Sequence, residues 1–495
     1  MTWLKTTTCI AAIFAASGAM ADVTAQQVWD SWKKNLSSNP DMVVTTTSEE
    51  AGDGVLVIEG LSVNMTSPDE AFSMTIGDVS FTEQDAGTVA VQMPDSFLIE
   101  VQSSDADSTL MEVSQSGEPM IVSGTPDALA YRISTKSYAL SVLEVIQGGE
   151  PTLDGDILIT LNDLYGNYSV ANNDLREIDY IFEIGSVDLL VDITEPNSTD
   201  NVVVSGKIAA VQSRADIAAP PEVADPDMMF LDGFAFAVDT TFDAANLVFD
   251  VTDAGTTSRG SAGFGPGASA IAINKDHFDY SVNASDVVVN ITSGDLPFPV
   301  DLDFAEFETG LAMPLSVTEE PEDFSFNVRL ADASISDGIW AMGDPSGTLP
   351  RDPITVSLAL NGKTKLFFDL ADPAQETARE MADAPGELHA LNIDTLLLSA
   401  VGARVSGSGA FTFDNDDYAT FDGIPRPLGD ATFEINGANA LMDNLVAMGL
   451  LPADQASMGR LMMGMFARTT GDDQLRTTVE VNDQGHLIVN GQRMQ

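Results

Sequence analysis

The chain has 495 residues, with 76 Asp and Glu against 21 Lys and Arg, giving a formal net charge of −55. A polyanion of this kind gains nothing from phosphate backbones or anionic membrane surfaces, which excludes general nucleic-acid binding. The hydrophobic share of 44% argues against wholesale disorder, because it supplies material for a large core.

Residues 1–21 read as a secretory leader. Lys5 gives the positive start, Cys9 to Ala16 the short apolar stretch, and Ala19-Met20-Ala21 the small-residue cleavage box. Cleavage between Ala21 and Asp22 is expected, and with it a periplasmic address. The apolar stretch is too short to span a bilayer, and no later run of about 18 apolar residues follows. Cys9 is the single cysteine, so the chain from Asp22 onward has no thiol and no disulfide.

Asp22 to Ser38 predicts a helix, because Val28, Trp29, Trp32 and Leu36 share one helical face. From about residue 53 the apolar period becomes two. Phe72, Met74 and Ile76 alternate with polar residues, then Val89, Val91 and Met93, then Ile157, Ile159 and Leu161. Gly, Asp, Asn and Pro clusters bound each run, as expected of antiparallel strands with one dry face. Residues 218–233 hold Pro220, Pro221, Pro226 and four acids, and read as a connector between a first half, 22–217, and a second half, 234–495.

The second half resumes the alternation through Phe234, Phe236 and Val238, then Phe278 and Tyr280, Val287 and Val289, Phe304 and Phe307, and Phe324, Phe326 and Val328. Asp372 and Pro373 predict the start of a short helix that Pro385-Gly386 stops. Gly402, Gly407 and Gly409 mark bends or bulges in the strands that follow. Ala438 to Gly449 and Pro452 to about Arg468 predict an αα-hairpin, and two final strands flank Asp483-Gln484-Gly485. No fixed repeat length emerges.

The chemistry-bearing motifs are few. His277, His389 and His486 lie too far apart in sequence for metal-ligand spacing. No nucleophile elbow and no phosphate-cradling Gly-Lys loop occurs. Asp414-Asn415-Asp416-Asp417 resembles half a calcium loop, but Tyr418 and Ala419 break the ligand pattern, leaving only an irregular calcium site or a solvated turn. No catalytic residue and no cofactor is assigned. The helical hairpin is crowded with methionine, whose soft side chain suits irregular apolar ligands as well as gap filling. The candidate ligand contacts there are Met442, Leu445, Met448, Met458, Met462, Met465 and Phe466.

Three stretches carry a family resemblance: Gly347-Thr348-Leu349-Pro350-Arg351-Asp352-Pro353, Ala438-Asn439-Ala440-Leu441-Met442 with Leu450-Leu451-Pro452, and Gly485-His486-Leu487-Ile488-Val489-Asn490-Gly491-Gln492. With them the chain resembles an uncharacterised family of exported proteins of Gram-negative bacteria, a domain of unknown function. In architecture it is also loosely similar to AsmA-like envelope proteins, which implies a long curved sheet with an apolar groove for lipids.

The expected fold is all-β with minor helices: long curved antiparallel sheet or sheets, an N-terminal helix and a C-terminal αα-hairpin. The expected function is a non-enzymatic periplasmic protein that binds or conveys a hydrophobic molecule, such as lipid, in envelope maintenance. The alternatives are a structural or interaction protein of the envelope with a filled core, and a carboxylate-dependent glycan hydrolase.

Overall fold

The computed structural model describes residues 22–37, 41–67, 71–104, 107–195, 198–221 and 228–494. The expected leader, residues 1–21, and residues 222–227 of the expected connector lie outside them. The chain is mostly strand and divides into two compact units, Met1–Gly185 and Ser186–Gln495. Each strand pairing below is antiparallel.

The first unit begins with helix α1 (Ala25–Leu36). Thr24 and Gln27 form a reciprocal capping box that satisfies two free N–H groups at its start. The sheet follows. β1 (Met42–Thr45) and β2 (Ser48–Gly52) share one edge of β3 (Val55–Thr66), whose other edge takes β4 (Ala71–Gln84). β5 (Thr88–Gln92) pairs with the C-terminal half of β4 and β6 (Ser96–Ser104) with its N-terminal half. β7 (Asp107–Gly117) pairs with β6, and β8 (Met120–Thr125) with β5. The long β9 (Ala128–Gln147) closes over both β7 and β8, then pairs with the short β10 (Glu150–Pro151) and with β11 (Gly155–Asn172).

Helix α1 lies on the dry face of this sheet. Val28, Trp29, Ile58, Val79, Phe81, Val89 and Val122 have no exposed surface, and Trp32 meets Phe81 edge-on with centroids 5.3 Å apart. Each fully buried side chain of this size stabilises the fold by about 1.5–3 kcal/mol. The helix face predicted from Val28 and Trp29 is therefore a core face.

β12 (Arg176–Thr194) contains the boundary between the units. In the second unit β13 (Asn201–Ala219) takes β14 (Ala235–Phe242) along its C-terminal half and β15 (Ala244–Asp253) along its N-terminal half. β16 (Thr256–Phe264) pairs with β15 and β17 (Gly267–Ile273) with β14, and the long β18 (His277–Ser293) closes over both. This is the path already traced by β4 to β9, strand for strand. The connector 218–233 runs between β13 and β14. Beyond β18 the sheet is a simple meander through β19 (Val300–Pro314), β20 (Glu322–Ile335), β21 (Ile354–Leu366), β22 (Gly386–Ala400), β23 (Ala403–Asp414) and β24 (Arg426–Asn436). β26 (Gln474–Val481) pairs with β24. Its far edge is shared by β25 (Arg468–Gly471) and β27 (Leu487–Val489), and β28 (Gln492–Arg493) follows β27.

The long strands share a device that strict alternation hides. In β18 the apolar positions are Phe278, Tyr280, Val282 and Ala284, then Val287, Val289 and Ile291, a slip of one residue at Ser285-Asp286. Asp286 is left-handed, with φ 50°. The same slip occurs at Gly60 in β3, Gly77 in β4, Asp163 in β11, Ala210 in β13 and Asp332 in β20, all with positive φ. In the second unit the registers place Ala210 opposite Asp243, Gly265 opposite Asp286, and Asp286 opposite Ala305, which faces Asp332. Asp243 and Gly265 are the points where β14/β15 and β16/β17 are interrupted. Extra residues bend strands, so the unit carries a crease that crosses its strands while the apolar residues stay on one face.

Several local expectations shift by a residue or more. Asp372 does cap Ala374 (2.9 Å), but the segment is a 3₁₀ turn at Pro373–Gln375 followed by α3 (Glu376–Met381). Gly402 belongs to a two-residue hairpin turn with Val401, both left-handed, instead of a bulge. Gly407 leaves room for Phe433, whose ring would stand 2.5 Å from any Cβ there. A helix not expected from the pattern, α2 (Asp337–Gly343), precedes the Gly347–Pro353 stretch. The hairpin helices are α4 (Ala438–Ala447) and α5 (Ala453–Phe466), so Arg468 opens β25 instead of ending a helix.

Candidate functional site

Directly paired residues of an antiparallel sheet project to the same face. Following the pairs across the second unit from β13 gives Ala215, Val238, Ile271, Tyr280, Leu311, Phe326, Leu360, Ile393, Gly409, Ala431, Val479 and Val489. Twelve successive strands contribute no charged residue to this row. A neighbouring row on the same face runs Phe242, Gly267, Ala284, Phe307, Leu330, Val356, Leu398, Val405, Ile435 and Leu475. The opposite face differs: one row there reads Arg214, Asp239, Ala270, Ser281, Gly310, Asn327 and Ala359.

This apolar strip is not a sealed core. Tyr280, Phe326, Val356 and Leu398 keep 39%, 36%, 37% and 49% of their surface exposed, and most of their row neighbours are half-buried. The contrast with the first unit is direct, since there α1 covers the corresponding face and reduces Val79 and Phe81 to zero. At about 4.8 Å per strand, twelve strands give a strip roughly 50 Å long. Apolar patches larger than a few hundred Å² mark binding surfaces on soluble proteins.

The helical hairpin splits the seven expected contacts. On α4 and its C-cap, Met442, Leu445 and Met448 are half-buried. The Met442 sulfur lies 3.4 Å from where a Cβ of Gly459 would stand, so α5 approaches α4 through a glycine. Arg460 fastens the pair by donating to Asn439 (3.2 Å) and Asp443 (2.5 Å). On α5, Met458, Met462, Met465 and Phe466 are exposed, at 62%, 49%, 62% and 37%, together with Leu461. They fall at i, i+3, i+4, i+7 and i+8, one continuous outward stripe. The sequence identified the stripe but not its exposure, because an apolar helix face normally reads as core.

The start of α4 is held from outside the helix. Gly437 precedes it and has no side chain to cap with, and Asp473 from the β25–β26 turn accepts from the N–H groups of Asn439 and Ala440, both at 3.0 Å. Burial pushes the Asp473 carboxyl up, but those N–H groups outweigh it and hold it below the usual carboxylate range.

The half calcium loop is occupied by the protein itself. Arg426 pairs with Asp414 (2.5 Å) and Asp417 (3.1 Å), and Asp417 also accepts from Thr420 and Ala419. The Arg426 guanidinium holds the Asp414 carboxyl below its ordinary range, and the Thr420 hydroxyl does the same for Asp417. A guanidinium sits where a cation would, so the irregular calcium reading is set aside. Among the described residues no group of three His, Cys, Asp or Glu could hold a metal ion. Buried Asp344 likewise serves structure: it accepts from Thr348, Leu349 and Ser346 and folds the Gly347–Pro353 stretch around itself.

Among the described residues no helix is long and apolar enough to cross a membrane. The fold is thus that of a β-sheet protein with an open apolar strip and an appended helical hairpin. A family described as "Uncharacterized protein conserved in bacteria (DUF2125)" matches residues 218–491, and the chain belongs to that family. No curated protein and no solved structure matches it.

Proposed function

We propose that this is a non-enzymatic envelope protein that holds or conveys a hydrophobic molecule, a lipid, along the apolar strip of its second unit. The observation that carries the reading is the row from Ala215 to Val489, uncharged over twelve strands and, apart from Ala215 and Ala431, at most half-buried. A filled structural core would hide such residues, as α1 hides Phe81. A strip of roughly 50 Å exceeds the hydrocarbon thickness of a bilayer, about 30 Å, so it offers room for more than one acyl chain. The exposed α5 stripe extends the apolar contact surface, with Met462, Met465 and Phe466 as ligand contacts. The leader-like residues 1–21 support delivery to the periplasm, where such cargo crosses water between membranes.

The test is native mass spectrometry with organic extraction of protein purified without detergent. Co-purifying lipid that Phe326→Asp removes is the expected result. Protein that is empty, and that takes up no lipid from vesicles, would sink the proposal.

A further inference from the structure

The cleft where β25 and β27 share the edge of β26 has a different character from the rest of this acidic molecule. Its walls are Arg468 and Thr470 of β25, Arg476 and Thr478 of β26, and the Asn490-Gly491 turn, which border an open groove of about 450 Å³. Arg468 and Arg476 are directly paired across the strands. Like charges in that position repel and destabilise a sheet. The neighbours of Arg468 do not neutralise it. Arg468 donates to the Asn490 carbonyl, a neutral group, and among the described residues no carboxylate stands within ion-pair distance of it. Among the described residues one carboxylate pairs with Arg476, that of Glu434, its direct partner on β24, at 3.8 Å. In a chain with 76 acids to 21 cations, two facing arginines that share one carboxylate form an arrangement that an added anion would stabilise. The turn that roofs the cleft is fixed: the Asn490 side chain donates to the Phe466 carbonyl (2.8 Å) and accepts from the Thr478 N–H (3.0 Å). Phe466, the last residue of the exposed α5 stripe, stands two residues before Arg468.

We infer that the Arg468–Arg476 cleft binds a phosphate group, with the threonine hydroxyls as further donors. Arg476 and Thr478 lie on the face of β26 opposite Leu475 and Val479, so the assignment of this phosphate to a lipid headgroup rests on the function proposed above and on the exposed Met465 and Phe466 of α5, not on the strip face itself. A bidentate guanidinium pair gives phosphate the strong, charge-assisted bonds that a lysine would not.

Calorimetric titration of the whole protein separates the sources. The probes are inorganic phosphate and dihexanoyl phosphatidylglycerol below its micelle concentration, with uptake of the neutral dye N-phenylnaphthylamine reporting the strip. Expected are binding of both anions, the lipid at least tenfold tighter, and a tenfold or greater weakening in Arg468→Gln and in Arg476→Gln. Arg259→Gln, at an exposed pair with Asp250, leaves binding unchanged. Dye uptake stays at the parent level in all three variants. Equal affinity for phosphate and lipid supports the phosphate site and overturns the headgroup assignment. Absence of binding by either probe, or binding undiminished in the two cleft variants, overturns the site. Phosphate binding without any dye uptake supports the cleft and counts against the strip alone.

Discussion

Trp29 of α1 packs against Phe81 of β4 with ring centroids 6.0 Å apart, and neither side chain has any exposed surface. This contact makes the first unit a closed core where the second has an open strip. The indole N–H of Trp29 is buried without a hydrogen-bond partner among the described residues, which costs about 1–3 kcal/mol. Trp29→Ala should therefore destabilise the protein by about 3–5 kcal/mol through the cavity it leaves. Trp29→Phe, which relieves the stranded N–H while losing area, should change stability by no more than about 1 kcal/mol. Urea denaturation of the two variants checks the difference, and equal losses would mean α1 does not seal the sheet.

The crease makes a prediction with two signs. A Cβ on Gly60 would stand 2.3 Å from the Thr47 hydroxyl in a left-handed backbone, so Gly60→Ala should cost more than about 1 kcal/mol. Ala210 already bears the strain of a left-handed conformation at φ 53°. Ala210→Gly relieves it at some entropic cost, for a net gain of about 0.5 kcal/mol. The midpoints of urea unfolding should move in opposite directions.

On the strip, Phe326 and Asn327 are neighbours on opposite faces of β20. Phe326→Asp should cut uptake of an apolar ligand at least tenfold while costing less than about 2 kcal/mol, because the ring is already part-exposed. Asn327→Asp places the same charge on the wet face and should leave uptake unaltered. A fluorescent-lipid binding assay compares the two, and equal effects would remove the strip from the mechanism.

Asp473 predicts an acid-sensitive hairpin. Its folded pKa lies below the unfolded value of about 3.9, so its stabilising contribution is complete above that pH and is lost as pH falls through the folded value. Asp473→Asn should lower stability at neutral pH by about 1 kcal/mol, a typical loss for a helix N-cap. It should also remove part of the stability loss on acidification. Circular dichroism melts between pH 7 and pH 2 distinguish this from a variant that merely lowers Tm equally at every pH.

The strands were legible because each half-strand alternates cleanly, as Phe324, Phe326 and Val328 do. What alternation could not reveal was that pairs such as Phe278/Tyr280 and Val287/Val289 belong to one strand. The odd spacing of Phe304 and Phe307 is the phase slip itself, visible in sequence once the left-handed residues are known. The strip was harder. It depends on which residue of one strand faces which of the next, and register is set by turns and bulges spread over nearly three hundred residues. The Arg468–Arg476 pairing is the plainest case, since eight positions separate them and only the hairpin brings them face to face. The α5 stripe was found by spacing but its exposure was not, because periodicity reports that a face is apolar and not what covers it. The acids Asp154, Asp156, Asp239 and Asp332 are all exposed, as alternation with apolar neighbours implies for a wet face or a turn.

The six-strand path β4 to β9 recurs as β13 to β18 without any sequence period, because turns of unequal length link the same pairings. A path that adds strands side by side lengthens its dry face by about 4.8 Å per strand and leaves its width unchanged. Within its own unit, each strand added to such a path therefore extends the dry face in length and not in width, so on the proposed reading the amount of ligand held would follow strand number and not side-chain redesign.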